Sequence, residues 1–91
     1  MTSIIKGYQA DIQWRDGQEE RSFLTCEERD ELIGHPGIYS AVYVPLVPCA
    51  MGVVAWLVED ISPGPFLTPD ERAARAYVEQ GATAWGLGRM Q

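Results

Sequence analysis

The sequence predicts an α+β domain of two β-hairpins. They form a four-stranded, mostly antiparallel sheet, with a short helix after the first hairpin and one long C-terminal helix packed on the sheet, in the order ββαββα. Three observations carry that expectation. Residues 8–15 alternate apolar and polar side chains, the period of a half-buried strand. The stretch Pro36–Val58 has no charged residue and is rich in β-branched and aromatic types. The heptads FLTCEER (23–29) and FLTPDER (66–72) nearly repeat, and each holds the signals for a chain leaving a strand and starting a helix.

Tyr8, Ala10, Ile12 and Trp14 form the apolar face of the first strand, opposite Gln9, Asp11, Gln13 and Arg15. Asp16-Gly17 then suits a two-residue type I′ turn, because both positions tolerate positive φ. A second strand follows over about Gln18–Leu24. That turn would place Trp14 opposite Glu19, Ile12 opposite Arg21 and Ala10 opposite Phe23. The outer half of this hairpin has little apolar material, so its tip should project into water with Trp14 partly exposed.

In the first heptad Thr25 and Glu28 have the spacing of a capping box. The helix it opens, Cys26–Ile33, is stopped by Gly34 and Pro36, and its buried side is confined to Cys26, Leu32 and Ile33. Strands are expected at Ile38–Val44 and Val53–Glu59, joined by a long connection through Pro45, Pro48 and Gly52. Ser62–Pro65 reads as a loop. In the second heptad Thr68 is the expected cap, Pro69 the first helical residue and Glu71 the partner that completes the box. Ala74, Tyr77, Val78, Gly81 and Trp85 recur at helical spacing and predict a helix over 69–85, ended by Gly86 and Gly88. Gly81 would let the helix approach the sheet closely. The repeated heptad therefore marks two strand-to-helix junctions. Beyond it the halves diverge, with Trp14 aligned on Leu57 and Gly17 on Asp60. The 91 residues constitute one domain, 1–91, with no linker.

Thirteen carboxylates against seven Lys and Arg give a formal charge of −6, which argues against direct nucleic-acid binding and favours a partner with a basic surface. Pro36–Val58 is long enough to span a bilayer, yet Pro45, Pro48 and Gly52 interrupt it and no Lys or Arg flanks it, so no membrane association is expected. Cys26 and Cys49 are too few for a disulfide framework or a four-ligand zinc site, and Met1–Gly7 has no apolar run of signal-peptide length. A reducing, cytoplasmic setting follows.

Catalytic constellations are sparse. Cys26 opens a helix, but His35 lies nine residues further on, about 13 Å along a helical rise. No metal-ligand spacing or phosphate-cradling loop is present, and no cofactor is expected. A small enzyme or ligand binder would have to use Cys49 and His35, with Tyr39, Tyr43 and Trp56 around a pocket. Acidic surface is the richer signal: Asp11, Asp16, Glu19, Glu20, Glu27, Glu28, Asp30 and Glu31 all precede Gly34. The expected function is a small acidic, non-enzymatic protein-binding module, with Trp14, Glu19, Glu20, Glu27, Glu28 and Glu31 as the partner-binding residues. One variant is an inhibitor that sets its carboxylates into a groove made for nucleic acid, as small phage-encoded proteins directed at host defence complexes do. Apolar faces over 38–58, with only a short helix to cover one of them, predict self-association through that sheet region.

Overall fold

The computed structural model describes residues 4–62 and 64–90. Met1–Ser3 of the N-terminal segment and Pro63 of the expected 62–65 loop lie outside them. Six strands and two short helices follow the order β1 (Gly7–Trp14), β2 (Glu19–Leu24), α1 (Cys26–Leu32), β3 (Ile38–Pro48), β4 (Ala55–Glu59), β5 (Phe66–Thr68), α2 (Glu71–Glu79) and β6 (Thr83–Arg89). All pairings are antiparallel, and the strand order is β2-β1-β3-β6-β4-β5. The sheet curls until its edge strands approach, so the fold is a nearly closed barrel with a helix on the outside of each half. The expected four-stranded sheet with one long C-terminal helix is thus corrected.

The correction turns on Gly81. Its φ of 103° is closed to most side chains, and the helix ends there. The Gly81 N–H donates to the Val78 carbonyl and the Ala82 N–H to the Tyr77 carbonyl, both at 3.0 Å, the paired bonds of a Schellman motif. No atom lies within 4 Å of where a Gly81 Cβ would sit, so close approach to the sheet plays no part. Past it Thr83, Trp85, Leu87 and Arg89 alternate with Ala84, Gly86 and Gly88. Residues expected to extend and end the helix therefore build β6, and Trp85 stays 44% exposed.

β6 inserts between β3 and β4, so the expected second hairpin does not exist. β4 instead turns back on β5, with Trp56 opposite Thr68 and Val58 opposite Phe66. β3 is longer than expected and continues through Pro45 and Pro48. The first hairpin forms as expected, but one residue out of register: Ala10 pairs with Ser22, Ile12 with Glu20 and Gln9 with Phe23. Its loop holds three residues rather than two. The Gly17 N–H donates to the Trp14 carbonyl at 3.0 Å, the Trp14 N–H to the Gln18 carbonyl at 2.8 Å, and Gly17 takes φ 92°. That is a type I turn followed by a bulge, and the extra residue swaps the faces of β2.

Three apolar clusters result. Leu46, Ala55, Leu57, Leu67 and Leu87 fill the barrel, with Phe23 and Val54 against them. Ala10, Ile12 and Leu24 lie outside one half under Leu32 of α1, and Val58, Ala74 and Ala82 join the other half to α2. Ile33, expected to be buried, is 55% exposed, because α1 ends before it. The element order repeats: β1-β2-α1-β3 and β4-β5-α2-β6 share one connectivity, and the sheet places them as β2-β1-β3 and β5-β4-β6 on either side of a β3–β6 seam. Both heptads lie at the corresponding strand-to-helix junction.

Candidate functional site

The two junctions use different caps. At the first, the Thr25 hydroxyl accepts from the Glu28 N–H at 3.2 Å and the Thr25 N–H donates to Glu28 Oε1 at 2.9 Å, the capping box expected. At the second, Thr68 is the last residue of β5 and Asp70 is the cap, accepting from the N–H groups of Arg72 and Ala73 at 2.9 and 3.4 Å. Thr68 and Pro69 therefore precede the helix, and Glu71 completes no box.

From its cap α1 runs back along the first hairpin toward the tip. Near its middle Arg29 stacks 4.3 Å from the Tyr8 ring and donates to the Tyr8 hydroxyl at 3.1 Å. Beyond its end His35 meets the Trp14 indole edge to face at 5.5 Å, and the Arg15 N–H donates to the Gly37 carbonyl at 2.9 Å. These contacts leave Trp14 half buried.

The six expected binding residues do not form one patch. Trp14 and Glu20 come together, because the indole N–H donates to the Glu20 carboxylate. Glu19 is the next residue on the same strand and so faces the opposite side of the sheet. There it borders a shallow depression of about 510 Å³ with Asp11, Gln13, Arg21, Ser40 and Val42. Arg21 donates to Asp11 at 2.8 Å; that hydrogen bond, and then the carboxylate's charge, raise the guanidinium above its ordinary pKa. The pair offsets much of the acidity on that side.

Glu27, Glu28 and Glu31 stand elsewhere, at the hairpin base. They line one side of a groove of about 690 Å³ whose other side is Leu57, Glu59, Gly64, Pro65 and Phe66. Ile5, Lys6, Thr25 and Cys26 complete the lining. Glu28 is committed to its cap, whereas Glu27 and Glu31 are exposed. The sequence did not point to Glu59, Pro65 or Phe66 as neighbours of α1. Their approach depends on barrel closure.

The residues of the enzyme alternative are dispersed. His35 and Cys49 bracket β3, eleven residues long, and stand about 30 Å apart at ~3.3 Å per residue. His35 Nδ1 accepts from the Gly37 N–H at 2.9 Å, and Cys26 Sγ donates to the Ile5 carbonyl at 3.6 Å. Tyr43 packs on the α1 side, Trp56 on the α2 side, and Tyr39 is exposed. Among the described residues no group of three or more His, Cys, Asp or Glu side chains could hold a metal ion. Nor is any helix among them long and apolar enough to cross a membrane; the uncharged stretch 36–58 supplies β3 and most of β4 instead.

The fold and groove define a small, nearly closed antiparallel barrel with an acid-rimmed cleft. Compared with protein-family models, curated proteins and solved structures, the chain gives no match.

Proposed function

We propose that this chain is a small non-enzymatic protein-binding module. It receives a basic segment of a partner protein in the groove between α1 and the β4–β5 connection. One observation carries the reading: Glu27, Glu28, Glu31 and Glu59 surround a cleft lined by Ile5, Leu57 and Phe66, with Lys6 the one cation among its lining residues. Carboxylates around an apolar floor suit a Lys- or Arg-bearing segment with an aliphatic or aromatic anchor, charge guiding the encounter and the anchor holding the complex. The groove replaces the broader surface the sequence suggested, because Trp14 and Glu20 engage each other and Glu19 faces away.

The test is titration with a panel of Lys- and Arg-containing peptides, each bearing one apolar anchor, at rising salt. Binding should weaken as salt rises, and Glu27→Lys with Glu31→Lys should reduce affinity roughly tenfold or more. Both positions are exposed and outside the cap, so the fold should persist. Peptide affinity indifferent to both substitutions would discard the groove.

A further inference from the structure

We infer that the groove selects arginine, that Trp85 is the residue which reads it, and that Lys6 covers the indole face until a partner arrives. The inference rests on the proposed groove and names the side chain it takes. Trp85 stands directly opposite Leu57 across the β4–β6 ladder, so the two share a face, and Leu57 is part of the groove floor. Glu59, two residues along β4 and opposite Thr83, lies on that same face as a diagonal neighbour of Trp85. The indole therefore continues the groove past Leu57 toward β6, with one of the groove's carboxylates beside it. Trp85 is also the one exposed tryptophan of the chain.

The molecule already shows which kind of group this face accepts. The Lys6 ammonium lies over the ring, 6.0 Å from its centre, the outer limit of a cation–π contact. Lys6 enters no ion pair among the described residues, and neither do Glu27, Glu28, Glu31 and Glu59. A lysine in this place thus takes the ring and leaves the carboxylates free. The segment that carries it is pinned: the Lys6 N–H donates to the Leu46 carbonyl at 2.9 Å, and Cys26 Sγ to the Ile5 carbonyl at 3.6 Å. Displacement needs only the Lys6 side chain to swing away, and a contact so long gives way easily.

Arginine suits the place better than a second lysine. Its guanidinium is planar and weakly hydrated, stacks on an indole face and keeps its edge N–H groups free to donate. Stacked on Trp85, it has the Glu59 carboxylate at its edge for a charge-assisted hydrogen bond. An ammonium is a point charge, and Lys6 shows one taking the ring without a carboxylate.

The probes are two peptides that differ at one position, arginine or lysine, each with one apolar anchor. The arginine form should bind the full chain about two- to fivefold tighter, and Trp85→Leu should abolish that preference. Trp85→Phe keeps a weaker ring, should retain part of the preference, and serves if the leucine variant does not fold. Lys6→Met should raise affinity for the arginine peptide in the parent, but by less in Trp85→Leu, because only the parent has a ring to vacate. Loss of a positive charge alone would raise affinity equally in both backgrounds. The Trp85 indole N–H resonance should shift as the arginine peptide is added. Binding that depends on Glu27 and Glu31 yet does not distinguish arginine from lysine would overturn the inference and leave the groove standing. So would a preference that survives Trp85→Leu. Failure of both peptides to bind would overturn the two readings together.

Discussion

Arg89 reaches across the barrel to Gln9, with Nε and Nη2 both 3.3 Å from Gln9 Oε1. Gln9 is 3% exposed and is the one buried polar side chain among the described residues. The contact ties the last strand to the first. Arg89→Ala would leave a buried amide oxygen without a donor, at a cost of about 1–3 kcal/mol. Gln9→Leu should cost less, because it removes the need for a partner. Urea midpoints of the two variants check the order.

The twin heptads should respond unequally. Thr25→Ala removes a capping hydroxyl and should cost about 1 kcal/mol, and Asp70→Ala should cost a similar amount. Thr68→Ala should be milder, since Thr68 ends a strand and its hydroxyl accepts only from the Asp70 N–H at 3.1 Å. Equal losses at Thr25 and Thr68 in chemical unfolding would contradict the cap assignment.

Gly7 lies where the barrel closes. A methyl group there would fall 2.6 Å from Leu67 Cδ2 and 2.9 Å from the Leu24 carbonyl oxygen. Gly7→Ala should therefore destabilise by about 1–3 kcal/mol through overpacking. Shortening Leu67 to Ala in the same chain should recover part of that loss but not all, since the second obstacle is backbone. A double-mutant cycle measures the coupling.

Gly81→Ala should shorten or fray α2, because alanine at that φ costs about 1–2 kcal/mol. Circular dichroism and the thermal midpoint report it. An unchanged midpoint would mean that the helix can end another way.

Charge reversal separates the groove from the far face of the first hairpin. Glu59→Lys should weaken binding of a basic peptide about as much as Glu31→Lys does, as the two line one groove. Glu19→Lys should leave it unchanged, being on the other side of the sheet. Isothermal titration of the three variants with one peptide decides.

What the chain discloses locally was legible, and what depends on distant partners was not. The alternation from Tyr8 to Trp14, the Thr25–Glu28 box and the strand-to-helix sense of both heptads are short-range signals, and each appears where expected. The apolar spacing of Ala74, Tyr77 and Val78 is helical, yet Trp85 and Leu87 also fit a period of two. Only the backbone preference of Gly81 separates the readings, and a glycine within a helical stripe equally suits close packing. The register of the first hairpin hinged on one loop residue, Arg15, which a turn built on Asp16-Gly17 leaves out. The groove was out of reach for a different reason. Glu27 and Glu31 are placed by a local cap, but Glu59 and Phe66 reach them only because β6 separates β3 from β4 and the sheet rolls up.

The repeated connectivity has a mechanical consequence. The halves 7–48 and 55–89 each hold a hairpin, a helix and a strand, and the ladder between them is only three residue pairs long, Leu46–Pro48 against Leu87–Arg89. So short a ladder, flanked by the Met90–Pro45 and Cys49–Gly86 bonds, is the whole strand pairing between the halves, and the Gly7–Leu67 closure is its counterpart on the far side. Thermal breathing should concentrate along these two lines, so amides at the β3–β6 ladder should exchange faster than those between β1 and β3. The protein then behaves as a hinged clasp, whose acid-rimmed cleft, built from both halves, widens or narrows as the clasp flexes.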